Sequence, residues 1–125
     1  MVRGIGVDAV EIDRIRRALE RHGDTFATRI LAGGELDLFR ESTTPEVFLA
    51  GRFSAKEAVM KVLGTGWAKG VTFNDIEVAK DSEGAPITHL SGEAAIRAKA
   101  LGIRRLLVSI THTKGLAVAT ALGDD

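Results

Sequence analysis

Apolar and small residues alternate from the start of the chain through Val2-Arg3-Gly4-Ile5-Gly6-Val7-Asp8, which predicts a short strand delivering Asp8 to its end. The period then changes. Ile12, Ile15, Ala18 and Leu19 recur at helical spacing, so a helix is expected over 11–22, stopped by Gly23 and arginine-rich on its other face. Short helices are expected over 24–31 and 34–41, separated by Ala32-Gly33-Gly34. Thr44 as N-cap, Pro45 at the first helical position and Glu46 in the first turn then open a long helix over 45–63, which Gly64-Thr65-Gly66 ends. Such a helix spans about 28 Å, the width of a small domain. Gly51 inside it costs about 1 kcal/mol relative to alanine, so a close contact is expected there.

Strands are expected over 73–79 and 85–90, joined around Lys80-Asp81-Ser82-Glu83-Gly84 as a hairpin. Ser91 caps a further helix to 101, which stops at Gly102. A second strand pair follows over 106–111 and 116–122, connected by Thr111-His112-Thr113-Lys114-Gly115. Ala117, Ala119 and Ala121 fall on one face of the last strand, a smooth surface for a helix. These elements predict an α+β fold, an antiparallel-rich sheet packed around one long central helix. With no repeat, linker or low-complexity tract, the sequence reads as a single domain over 1–125.

Composition narrows the function classes. Seventeen basic and seventeen acidic residues leave no net charge, so no global field draws the chain to nucleic acid or to a membrane. Absence of cysteine removes disulfides and thiolate chemistry, and three scattered histidines make zinc improbable. Charged residues interrupt the first fifteen positions, against a signal peptide, and no apolar run approaches the ~20 residues of a membrane span. A cytoplasmic protein is expected.

Asp8 and Glu57 form the first chemical pair. Each stands among apolar neighbours, so both are expected to face a partly buried space, although isolated carboxylates are more often solvated surface. Two carboxylates are about what magnesium takes from a protein, water and phosphate oxygens filling the remaining positions. Lys61, four residues after Glu57, is either its helix-stabilising partner or a phosphate clamp beside a metal carboxylate. Arg52 and Lys56 extend the positive surface. Gly64, Thr65 and Gly66 serve as a helix stop or as a loop approaching a phosphate through its N–H groups. His112 reads as an exposed turn residue or, with Thr111, Thr113 and Lys114, as a phosphate donor set. Arg14, Arg17 and Arg21 lie along one stripe of the first helix, with Arg16 beside it. That stripe is a solvated outer face or a docking surface for an acidic partner.

Three segments taken together resemble the 4'-phosphopantetheinyl transferases, in particular the small stand-alone branch of holo-acyl-carrier-protein synthases. They are Gly4-Ile5-Gly6-Val7-Asp8, Arg52-Phe53-Ser54-Ala55-Lys56-Glu57-Ala58-Val59-Met60-Lys61, and Ser109-Ile110-Thr111-His112-Thr113. The resemblance covers nearly the whole chain, with Thr111 and Trp67 at positions expected to vary. It implies transfer of 4'-phosphopantetheine from coenzyme A to a serine of an acyl carrier protein, with Asp8 and Glu57 binding Mg2+ together with the coenzyme pyrophosphate. It further implies that Lys61 assists departure of adenosine 3',5'-bisphosphate and that Arg52, His112 and Thr113 hold coenzyme A phosphates. Lys56, Gly64, Thr65 and Gly66 are expected beside the same coenzyme. The serine proton goes either to a water on the metal or to Glu57. The family also implies a homotrimer with active sites between subunits, and an acidic helical carrier protein docking on Arg14, Arg17 and Arg21.

Two rivals stand beside this reading. The Gly-Ile-Gly-Val-Asp segment also resembles the strand-end aspartate of sugar-kinase and actin-like ATPases, but those folds need longer chains and further glycine-rich phosphate loops. A non-catalytic trimeric module that binds carrier protein would keep the arginine face without Asp8, Glu57 and Lys61.

Overall fold

The alternation at the start of the chain builds strand β1, Val2–Glu11, which runs three residues past Asp8. Asp8 therefore sits within the strand. The ladder continues because Ala9, Val10 and Glu11 still find antiparallel partners in Val118, Ala117 and Leu116. Helices α1, Ile12–His22, α2, Asp24–Ile30, and α3, Gly34–Glu41, follow. The long helix α4 spans Pro45–Leu63 and ends on Gly64, whose φ of 70° is the left-handed conformation that glycine adopts without penalty. Thr44 and Ser91 occupy N-cap positions, but neither side chain makes a capping hydrogen bond. The computed structural model describes residues 1–66 and 68–125, so Trp67 lies outside the described residues.

Beyond α4 the expected strand over 73–79 divides. Phe73–Asp75 is a 3₁₀ turn closed by a reciprocal capping box between Thr72 and Asp75, and strand β2 begins only at Ile76, as Ile76–Lys80. A short hydroxyl and a carboxylate three residues apart satisfy local N–H groups and so compete with the ladder. Strand β3, Pro86–Leu90, helix α5, Gly92–Ala100, strand β4, Arg105–His112, and strand β5, Leu116–Asp124, complete the chain. Strands β2 and β3 form an antiparallel pair, while the second sheet is antiparallel in the order β1-β5-β4. His112 belongs to β4 and pairs with Ala117, so the connection to β5 is only Thr113-Lys114-Gly115.

Helix α4 lies against the inner face of the three-stranded sheet, and α1, α2, α3, α5 and β2 contact it from other directions. The alanine face of β5 makes this possible. Ala117, Ala119 and Ala121 are all buried, and β1 approaches closer still through its glycines. A Cβ on Gly6 would stand 2.1 Å from the Ala58 carbonyl oxygen, and one on Gly4 would meet the Val62 carbonyl oxygen at 3.1 Å. Glycine at these places sets the distance between strand and helix. Gly51 has a different reason: a Cβ there would meet the Ile110 side chain of β4 at 3.2 Å. Two apolar clusters divide the core, with Leu49 and Ala50 of α4 in one and Ala55, Ala58, Val59, Met60, Val62 and Leu63 in the other.

Candidate active site

The glycine contacts place Asp8 along the helix. From Gly4 to Gly6 the strand advances about 6.6 Å, and the helix contact moves from Val62 back to Ala58, about 6 Å. One more such step brings Asp8 level with the turn of α4 that holds Glu57. Asp8 is 16% exposed at its side chain and Glu57 is half-buried, as expected for carboxylates at the rim of a packed contact. Lys61 completes the group. Its ammonium donates to the Val7 carbonyl at 2.8 Å and approaches Asp8 Oδ1 at 3.4 Å, while the side chain stays 53% exposed. The strand and the helix thus bring Asp8 and a solvent-reachable ammonium to one edge, with the half-buried Glu57 one turn earlier on α4.

Among the described residues no three His, Cys, Asp or Glu side chains gather in a metal-like cluster. A hard divalent cation that keeps most of its water and takes phosphate oxygens needs only one or two protein carboxylates. Asp8 and Glu57 fit that donor set.

The remaining residues divide. Lys56 is fully buried: its ammonium donates to the Ile30 carbonyl at 2.6 Å, Glu35 Oε1 at 2.7 Å and the Phe73 carbonyl at 3.2 Å. All three of its protons are engaged, so the expectation of a coenzyme-binding surface lysine is corrected. Arg52, one helical turn earlier, is also buried rather than part of a positive surface. Its Nε lies 3.6 Å from Glu35 Oε2, and its guanidinium carbon stands 4.5 Å from the centroid of the Phe48 ring. Arg52 Nε and Nη2 make no hydrogen bond. Burial pushes the proton affinity of both groups down from its ordinary value, and the Glu35 carboxylate works against that.

Gly64-Thr65-Gly66 acts first as a helix stop. The N–H groups of Gly64 and Thr65 donate back to the Lys61 and Met60 carbonyls at 3.1 and 3.3 Å, and the buried Thr65 hydroxyl donates to the Gly66 carbonyl. The N–H groups of Gly64 and Thr65 are thus engaged in closing the helix, the helix-stop reading of this segment. His112 and Thr113 are exposed. His112 pairs with Ala117, which pairs with Val10, so within one chain it stands two strands across and two residues along from Asp8, about 12 Å away. Arg14 and Arg21 are exposed on α1, while Arg16 and Arg17 reach Asp13 at 2.9 and 3.1 Å.

Comparison with known proteins assigns this arrangement to a family. A family model described as the 4'-phosphopantetheinyl transferase superfamily matches residues 4–121. The chain belongs to that superfamily. Similar transferases include the holo-[acyl-carrier-protein] synthase of Halorhodospira halophila, 50% identical over 119 residues, covering 95% of this chain and 94% of that protein. The enzyme of the same name from Maridesulfovibrio salexigens is 41% identical over 98% of both chains. Among solved transferases, the crystal structure of holo-[acyl-carrier-protein] synthase from Neisseria meningitidis covers 100% of both chains at a TM-score of 0.92 and 34% identity. The Helicobacter pylori enzyme in complex with coenzyme A matches 96% of this chain and 99% of its own, at a TM-score of 0.83 and 33% identity.

The transferase fold also relies on a residue that the motif reading passes over. Glu35 is buried, accepts from the Ala32 and Val78 N–H groups as well as from Lys56, and so joins α3, α4 and β2. Its place in the first turn of a short helix resembles ordinary surface. A signal was nevertheless present, since two cations spaced i, i+4 on an otherwise apolar stretch of α4 need a counter-charge.

Proposed function

We infer that the chain transfers the 4'-phosphopantetheine group of coenzyme A to a serine of an apo acyl carrier protein. The serine oxygen forms the new bond to phosphorus, the pyrophosphate P–O bond breaks, and adenosine 3',5'-bisphosphate leaves with the electron pair while the serine proton passes to Glu57 or to a water molecule. The observation that carries this reading is the contact of Lys61 with Asp8 where β1 crosses α4, with Glu57 one turn earlier on the same helix, in a chain of this family. A carrier-binding module without chemistry would have no use for that trio.

Asp8 and Glu57 would hold Mg2+, whose contribution when bound is to neutralise pyrophosphate charge. Lys61 is held by the Val7 carbonyl with its ammonium still reachable by solvent. An ammonium so placed stabilises negative charge growing on the departing phosphate, and this costs no reorganisation during the reaction. His112 and Thr113, exposed at the end of β4, would hold the coenzyme phosphates from a neighbouring subunit.

A homotrimer supplies that neighbour. The outer face of the β1-β5-β4 sheet exposes Ile5, Val7, Leu107 and Leu116, an apolar surface suited to self-association. The trimer would be built from single domains over 1–125, each an antiparallel sheet packed around α4. Arg14, Arg17 and Arg21 would dock the acidic carrier, in fatty-acid biosynthesis and in the cytoplasm. Among the described residues no helix is long and apolar enough to cross a membrane.

Mass spectrometry of apo carrier protein incubated with coenzyme A and the chain tests the transfer. The carrier should gain one phosphopantetheine with magnesium and none with a chelator. An unchanged carrier mass with magnesium present overturns the reading.

A further inference from the structure

A second cleft lies away from Asp8, Glu57 and Lys61. It is bounded by β3, the last turns of α5 and the start of β4, with a volume of about 530 Å³. A Cβ on Gly102 at its rim would stand 3.8 Å from the Arg3 guanidinium, and Arg3 precedes Asp8 by five residues, about 17 Å along β1. Within one chain the cleft is thus about 17 Å along β1 from Asp8.

Charge around it is one-sided. Lys99, Arg104, Arg105 and His89 line it, and among the described residues no Asp or Glu does, in a chain whose acids and bases balance. Arg105 is neutralised by Asp124 at 2.6 Å. Lys99 and Arg104 are exposed and neither side chain has an ion-pair or hydrogen-bond partner among the described residues. The C-terminal end of α5 brings partial negative charge to the same rim, so these two cations must supply the attraction for any anion. The floor is apolar, formed by Leu90, Ala98, Ile103 and Leu106. Thr88 also lines the cleft, and its Oγ1 is buried without a hydrogen-bond partner.

We propose that this cleft binds an amphiphilic anion, a phosphate or carboxylate head on an apolar body, with Lys99 and Arg104 at the head and the Leu90–Ile103 floor beneath the body. The cleft has the size and the mixed lining of a small-molecule site, with few polar groups over an apolar surface. Such a ligand could be a nucleotide or an acyl chain, because both present this chemistry.

The test is an NMR titration of the 15N-labelled full chain with decanoate, adenosine 5'-monophosphate and inorganic phosphate as separate probes. Decanoate or the nucleotide should shift the amides of Thr88, His89, Leu90, Ile103 and Arg104 saturably. The double substitution Lys99→Ala with Arg104→Ala should weaken that binding about tenfold. Both residues are exposed, so the fold should survive their loss, as circular dichroism would verify. Response to decanoate identifies an acyl ligand and response to the nucleotide a nucleotide ligand. No response to either, equal affinity for inorganic phosphate, or binding unchanged in the double variant would each overturn the proposal.

Discussion

The two sides of α4 use the same kinds of residue for opposite ends. On the side facing α3, Arg52 and Lys56 are buried around Glu35, and Lys56 ties the end of α2, α3 and the 3₁₀ turn at Phe73 to the helix. On the side facing β1, Lys61 meets Asp8 at a rim that solvent reaches, with Glu57 one turn earlier. Lys56 and Glu57 are adjacent in sequence, yet one step of about 100° around the helix separates a charge that holds the fold from a charge available for chemistry. What differs is the cover: the first side is closed by α2, α3 and β2, and the second by a strand whose glycines leave the carboxylates at an edge.

Substitution can break this contrast, and the largest effect is expected on the buried side. Lys56→Ala leaves Glu35 without its closest counter-charge inside the protein and should lower unfolding stability by about 3–5 kcal/mol in denaturant titration. A loss below about 1 kcal/mol would mean that water reaches Glu35 and that the two sides are alike. On the open side, Asp8→Ala and Glu57→Ala should each reduce turnover at least about a hundredfold, because misplacing the coenzyme pyrophosphate by an ångström costs that much. Their unfolding midpoints should stay near that of the parent. Near-normal turnover at ordinary magnesium would remove these carboxylates from the metal site.

A smaller effect is expected on α1, which carries charge away from both sides. Arg14→Glu with Arg17→Glu should raise KM for the carrier protein about tenfold or more while leaving KM for coenzyme A unchanged, and should flatten the salt dependence of kcat/KM. Arg17 already shares Asp13 with Arg16, so most of the change should follow Arg14. Steady-state kinetics at two ionic strengths decides this, and unchanged carrier KM and salt dependence would make the α1 stripe ordinary surface.

Much of this was legible in the residues, though unevenly. Helix α4 and its stop at Gly64 follow from proline, periodicity and glycine, and the alanine face of β5 predicts close helix packing. Asp8, Glu57 and Lys61 stand out through their motifs, but the approach of Asp8 to Lys61 across β1 and α4 is not visible in spacing. Spacing along α4 pairs Lys61 with Glu57, and the fold adds Asp8 and the Val7 carbonyl from β1 as contacts of Lys61. Lys56 was misread for a related reason: helical periodicity shows that 52 and 56 share a stripe but not what covers it. Their cover, Glu35, comes from 21 residues earlier. The end of β4 escaped notice because pairing with Ala117, not local composition, extends the strand through His112.

The central claim, that adjacent sides of one helix separate stability from chemistry, is tested most directly at Lys61. Lys61→Ala should be measured for both denaturant midpoint and turnover. The account predicts a stability change under about 1 kcal/mol, as for an exposed ion pair, with kcat falling about a hundredfold and KM for coenzyme A little altered. Loss of several kcal/mol of stability with kcat preserved per folded molecule would contradict it, placing Lys61 with Lys56 among the residues that only hold the fold together.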